Sequence, residues 1–587
     1  MIRTVGLKNQ GSLIGVAILF VLILYPLATL LIQIVFPNVF AVQMSFRPQL
    51  APVLSALTDK LNVEALANYI TIGIGGAILA TAAGTVTAFA AARGSKAWRV
   101  FIEMSVWVVF FAPSYVIAQG WVVLMQDGGV FAQLFGLHNG WSTWFFSRFG
   151  LALVMGLKYF PFVHIAVVQA IQNLGGEFAM AGRMNGATPR QVFFKITLPL
   201  MTPALLAGMS IAFAEGFGDF GFAAAITPET HMPLVTYQIY QALSEAPVDY
   251  STAALMSLLL IIVTAGALWL QFWWTGRRSY VTVSAQSRTV RQHKAHIGTT
   301  LPAALIALLA VVLPVGGSIL ISLWRVWTNG LTRGNWTLHH YGKELNLSSP
   351  SMHALYTSLI YGLGAAIVTS AVALFLGYQL TYKTSRVSRV INVITMASLA
   401  IPGIVLAAGF VFAWNASWMH AIGIVLYGTP LCLEMAYIAG AIPYSIRLQH
   451  GAMSQLSPNL MTAAQLFGAR QWRVVLSIVL PLVSSTTIST FFMTFTHSIF
   501  ELPASMMLYP AGMPTFSVQT NEQFSKFNWA SGSALTIIGV VIVFASYLIG
   551  KGVSNRVERR LRAGSIEDRG KEDSQSYSDA VLASSAG

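Results

Sequence analysis

Twelve runs of about twenty or more predominantly apolar residues, separated by short polar segments, leave this chain few ways to fold. A run of that kind crosses hydrocarbon only as a helix, because each backbone N–H and C=O must find a partner within the segment. The runs fall near 12–36, 67–92, 102–125, 150–172, 198–225 and 251–275, then near 301–324, 354–380, 391–414, 430–448, 480–500 and 532–551. A hydrophobic content of 55% against 9% charged, with a mean hydropathy of +0.66, excludes a soluble globular chain of this length. The expected fold is an all-α polytopic membrane protein of about 12 transmembrane helices. The first run follows a basic start but is too long for a signal-peptide core and lacks a cleavage site, so a retained first helix is expected. Cys432 is the sole cysteine, which excludes disulfides and cysteine metal sites within one chain.

The chain repeats itself. EFAMAGRMNGATPRQVFFKITLPLMTP, beginning at Glu177, is echoed by NLMTAAQLFGARQWRVVLSIVLP, beginning at Asn459. Gly186-Ala187 and Gly468-Ala469 are each followed by a Leu-Pro pair, Leu198-Pro199 and Leu480-Pro481, and the offset is 282 throughout. Earlier in each copy, APSYVIAQG (112–120) and IPGIVLAAG (401–409) share a proline and a later glycine at an offset of 289. A long offset with matching punctuation marks a duplicated unit. Six helices per copy is an even number, so the halves enter the membrane the same way round as a parallel repeat.

Basic residues set the orientation. With the N-terminus inside, 26 of the 34 Lys and Arg fall in cytoplasmic segments, among them Arg93, Arg183, Arg190, Lys195, Arg447, Arg470 and Arg473. The other eight, Arg148 and Lys158 among them, are placed outside or at an outer helix end. Both termini and both Gly-Ala loops are thereby expected in the cytoplasm. A net charge of +14 is read as this orientation signal and not as nucleic-acid binding. The stretch 276–300 reads as a basic linker, and the polar tail is expected to be disordered after about Ser565.

Gly-Ala, a variable turn, then hydrophobic-x-Leu-Pro resembles the coupling loop of the type I transmembrane subunits of ABC importers. The family's Glu-Ala-Ala falls on Met180-Ala181-Gly182 and Thr462-Ala463-Ala464, so the motif glutamate is absent from both copies, with Glu177 nearby in the first. The resemblance implies two parallel six-helix repeats of the type I permease fold. It divides the chain into a first helix and outer loop (1–65), permease unit one (66–272), a linker with the seventh helix and an outer loop (273–353), permease unit two (354–549) and a tail (550–587). A fused chain of this kind resembles the permeases for ferric iron, thiamine and 2-aminoethylphosphonate. GDFGFAAAI (218–226) and ELPASMMLYP (501–510) resemble the ferric iron group, so ferric iron is the expected solute, with thiamine, phosphonate or polyamine as alternatives. The implied partners are two ATPase subunits gripping the loops at Gly186, Ala187, Leu198, Pro199, Gly468, Ala469, Leu480 and Pro481, an external solute-binding protein, and membrane lipid. The implied location is a bacterial inner membrane. No GxxxxGK[ST] phosphate loop occurs, so this chain is expected to bind no cofactor and ATP is used by a separate subunit.

Ionisable residues inside spans are functional candidates. Glu215 and Asp219 lie four apart on the fifth run, and His497 and Glu501 stand 282 residues later on the eleventh. Each pair shares a helix face. The pairs either line a translocation path or sit at the outer mouth and face water. His164 and Glu434 are expected to be interhelical hydrogen-bond partners. The tryptophans at 141, 144, 273, 274, 324, 327 and 418 read as an interfacial belt. No metal-spaced or catalytic constellation stands out, and no enzyme is expected. The rival from another class is a twelve-helix secondary transporter, which would need no ATPase.

Overall fold

The computed structural model describes residues 3–40, 45–136, 140–174, 177–276, 297–383, 385–469 and 471–585. Most of the expected linker, from 277 to 296, and Arg470 of the second loop lie outside these residues. The described chain is helical; its one β feature is an isolated antiparallel bridge between Trp324 and Trp336.

Nine helices among the described residues are long and apolar enough to cross a membrane, and two bent pairs raise the number to eleven. Twelve were expected. The missing run, 430–448, does form a helix, Pro430–Met453, about 36 Å long at 1.5 Å per residue. Glu434, Arg447 and His450 dilute its apolar character.

Four expected spans are broken. The run 480–500 bends by 76° at Val483, between Leu480–Leu482 and Ser484–Ile499. The other three break for local reasons. The run 102–125 is two helices, Lys96–Phe111 and Ser114–Phe135, bent by 101° at Pro113. Its counterpart divides at Pro402 into Arg386–Ser398 and Gly403–Trp414. Proline has no N–H and its ring clashes with the carbonyl four residues back, so a helix ends before it. The run 198–225 stops at Phe217, and Asp219 starts a new helix, Phe220–Thr230.

Four π-turns occur among the described residues, at Phe20–Leu24, Phe193–Thr197, Leu308–Val312 and Val475–Val479. Each is followed by one residue and then a proline: Pro26, Pro199, Pro314 and Pro481. The residue before the proline bonds five residues back, as Leu198 does to Phe193 and Leu480 to Val475. Widening the turn makes room for the ring at the proline itself, although after Pro481 the helix ends at Leu482.

Within the first half, Lys60–Arg93 packs along Arg148–Leu174, and Leu198–Phe217 packs on both. Pro350–Tyr382, Pro430–Met453 and Ser484–Ile499 form the matching trio in the second. The first helix of each half crosses over. Tyr25–Val35 lies on Gly403–Trp414 of the second half, and Leu313–Ser322 lies on Ser114–Met125 of the first. Tyr25 fixes one crossing: its hydroxyl donates to the Ala413 carbonyl at 3.0 Å and accepts from Trp418 Nε1 at 2.9 Å. The glycines shared by the two nine-residue stretches stand at these crossings. A Cβ on Gly120 would lie 2.5 Å from the Pro314 carbonyl oxygen, and one on Gly409 would lie 2.9 Å from that of Pro26. In lipid, such close contact is the main source of helix association.

One reading needs correction here: Trp324 is buried beneath the outer loop and does not belong to an interfacial belt. The last helix runs Trp529–Ser585.

Replacing Gly120 or Gly409 by valine should lower the thermal unfolding temperature of the detergent-solubilised protein, at a cost of about 1–3 kcal/mol. Gly440, which has open space around it, should accept alanine without loss.

Candidate coupling loops and central passage

Both loops are built alike. The short helix Glu177–Met184 ends at Gly186 and Pro458–Leu466 ends at Gly468, and each glycine has a φ of +80°. Ala187 N–H donates to the Gly182 carbonyl at 3.0 Å, and Ala469 N–H to that of Ala464 at 3.1 Å. A left-handed glycine with a bond reaching five residues back is a Schellman closure, which satisfies carbonyls the helix end leaves free. No atom lies within 4 Å of a Cβ built on either glycine, so backbone conformation and not crowding requires glycine there. Thr188 then opens the next turn with a capping box: its side chain accepts from Gln191 N–H, and Gln191 Oε1 accepts from Thr188 N–H at 2.9 Å. The π-turn and the Leu198-Pro199 or Leu480-Pro481 pair carry the chain into the membrane. Beside the turns, Met184, Leu466 and Phe467 are 88%, 82% and 92% exposed.

The four candidate passage residues divide by their contacts. Asp219 caps Phe220–Thr230, accepting from Phe222 N–H at 3.1 Å, Ser114 Oγ at 2.6 Å and the Tyr159 hydroxyl at 2.6 Å. Glu501, its counterpart, accepts from Ala504 N–H at 3.0 Å and Ser505 N–H at 3.1 Å and so caps Pro503–Leu508. These carboxylates hold the two short helices that turn back after the fifth span of each half. Glu215 instead accepts from the Tyr444 hydroxyl at 3.0 Å, a contact between the two halves. His497, at the place equivalent to Glu215, is exposed. The halves do meet around these residues: a Cβ on Gly218 would lie 2.9 Å from the Pro402 side chain, and Phe111 packs in the cluster of Ile499 and Phe500. Among the described residues no three His, Cys, Asp or Glu side chains gather as a metal-holding group.

Lys158 was placed at an outer helix end, and the structure corrects this. It lies about 15 Å along the Arg148–Leu174 helix and is 8% exposed. Its Nζ donates to the Val109 carbonyl at 2.8 Å and the Ala112 carbonyl at 2.7 Å. Val109 is the residue whose carbonyl Pro113, lacking an N–H, cannot engage. The lysine therefore closes the broken helix, within electrostatic reach of the Asp219 and Glu215 carboxyl groups. The signal was present in the sequence, as a lone cation inside an apolar run and an orphaned carbonyl before a proline. The second half manages differently: Ile401 N–H turns back to the Ser398 carbonyl, and Thr264 donates to that of Ala400 at 3.0 Å. His164 meets Thr87 at 2.9 Å, as an interhelical partner should. Glu434 does not: it packs against Gly364, and its Oε2 is buried without a hydrogen bond.

A duplicated helical unit with matched loops and a first helix that crosses to the opposite half is the architecture of a chain built from two fused units. The family model for the inner membrane component of binding-protein-dependent transport systems matches twice, at residues 80–277 and 369–563. The chain belongs to this family, the permeases of ABC importers, and is a multi-pass inner-membrane protein whose systems include ATPase and solute-binding partners. It is 23% identical to a putative ferric transport system permease of Haemophilus influenzae, over 86% of this chain and 78% of that one. It is 22% identical to a ferric transport system permease of Actinobacillus pleuropneumoniae, over 92% and 78%. A putative 2-aminoethylphosphonate transport permease of Salmonella typhimurium is 23% identical over 42% of this chain and 91% of its own length.

Replacing Lys158 by methionine keeps the apolar stem but strands two carbonyls, each worth about 1–3 kcal/mol when buried and unpaired. Thermal unfolding should show a marked loss of stability, with glutamine, which retains a donor, recovering part of it.

Proposed function

We propose that this chain forms the transmembrane path of an ATP-driven importer for ferric iron, delivered by an external binding protein. The observation that carries the substrate is that ferric transport permeases align across both halves, whereas the phosphonate permease aligns with about one. Two ATPase subunits, one per loop, dock on the exposed apolar side chains beside Gly186 and Gly468. Each short helix, closed by its Schellman turn, acts as a rigid lever on the span that follows it. Nucleotide-driven closure of the ATPases rocks the two halves, and both termini and both loops lie in the cytoplasm. In this reading all twelve runs cross the membrane, the Pro430–Met453 helix included.

Glu215 and His497 line the route in this mechanism, and Asp219 and Glu501 shape it by holding the helices that turn back. A cation crossing an apolar layer about 30 Å thick requires a hydrated, electronegative lining. The Glu215–Tyr444 contact joins elements of opposite halves, so rocking must alter it.

Deleting the chain should abolish uptake of radiolabelled ferric iron, with unlabelled thiamine and 2-aminoethylphosphonate failing to compete in wild-type cells. Iron uptake that survives deletion overturns the substrate; competition by the phosphonate reassigns it. Valine at Gly186 together with valine at Gly468 should leave the protein inserted while uptake is lost, because each loop pays about 1–2 kcal/mol for a left-handed β-branched residue. Unchanged uptake in that double variant would refute the coupling role.

A further inference from the structure

An apolar groove of about 460 Å³ opens on the first half between Lys60–Arg93 and Leu198–Phe217. Its walls include Ile78, Ala82, Val86, Phe193, Leu205 and Met209. It does not face the passage. Leu198, Leu205 and Met209 lie roughly 80–120° around their helix from Glu215, at 100° per residue. On the other wall, Ile78 and Ala82 are exposed, while Ala77, Ala80 and Gly84 on the opposite face are buried. The groove is therefore open to the hydrocarbon of the bilayer.

Charge stands at one end of it. Phe193, a wall residue, meets Phe89 edge-on with ring centroids 5.4 Å apart, and the Arg93 guanidinium lies 5.1 Å over the Phe89 ring. Arg183 of the loop helix lies near enough to Arg93 for their like charges to interact. Val86 lies about 10 Å and Ile78 about 22 Å along the helix from Arg93. Those depths place the groove in the leaflet on the side of the Gly186 turn, with two cations at headgroup level. A zwitterionic headgroup offers these guanidiniums no net charge; a headgroup whose phosphodiester is not balanced by a cation does.

We propose that this groove is a binding site for one anionic phospholipid, its acyl chain in the groove and its phosphate on Arg93 and Arg183. Gly182 of the loop helix sits against Ile196 and Val192, so the loop packs directly on the π-turn that walls the site. An occupied groove braces that turn from the lipid side.

The test is thermal unfolding of the purified full-length protein in detergent, titrated with phosphatidylglycerol, with phosphatidylcholine of identical chains, or with inorganic phosphate. Phosphatidylglycerol should raise the unfolding temperature at lower concentration than phosphatidylcholine, and phosphate should not raise it. Arg93→Gln with Arg183→Gln should weaken the phosphatidylglycerol response about 25-fold, at about fivefold per cation. Ala82→Trp, at an exposed position, should remove the response by filling the groove. Equal responses to the two lipids, a response to phosphate alone, or a preference that persists in both variants would each overturn the site. The readout does not involve transport, so it stands apart from the identity of the solute.

Discussion

The constraint on which this structure depends is the missing N–H of proline inside a layer that supplies no substitute hydrogen bond. Every carbonyl left without a partner there costs several kcal/mol, on the order of the figure for a buried unpaired polar group. The chain meets the problem in three ways. Pro26, Pro199, Pro314 and Pro481 follow widened π-turns, which carry the helix past the ring. At Pro113 the helix breaks, and Lys158 supplies the lost donor from a neighbouring span. At Pro402 the same break is closed by a tight backbone turn and by Thr264. One repeated motif thus has two chemical solutions, and only the first puts a cation in the interior.

The breaks also organise the two halves. A helix that turns at Pro113 or Pro402 presents the start of its second part, with Gly120 or Gly409, to the first helix of the opposite half. Contact at that distance is possible only without a side chain, so the glycines and the crossing specify each other. The crossing makes the halves interdependent: neither has its full set of neighbours alone. Movement of one half therefore acts on the other through packed helices, and Glu215–Tyr444 spans the same divide.

Caps serve as hinges between this packing and function. Asp219 and Glu501 bind the first N–H groups of short helices and fix where the chain turns after each fifth span. Gly186 and Gly468 do the corresponding work at the other ends of those spans. Each fifth span is thus flanked by a polar cap at one end and a left-handed glycine at the other, and the second bends by 76° at Val483 on the way.

The sequence by itself determined the helical class, the duplication, the position of the loops and the pairing of Glu215 and Asp219 with His497 and Glu501. These follow from apolar run length and fixed spacing, which are local properties. It also contained the glycines at 120 and 409, but not what they were for, because the carbonyl they admit comes from a helix about two hundred or more residues away in the chain. Tertiary structure alone decided which carboxylates are caps and which one reaches across the halves, since identical i, i+4 spacing serves both. It likewise decided that Lys158 is interior. Hydropathy counts a lysine as a boundary, whereas a lysine whose ammonium is taken up by two orphaned carbonyls belongs in the core.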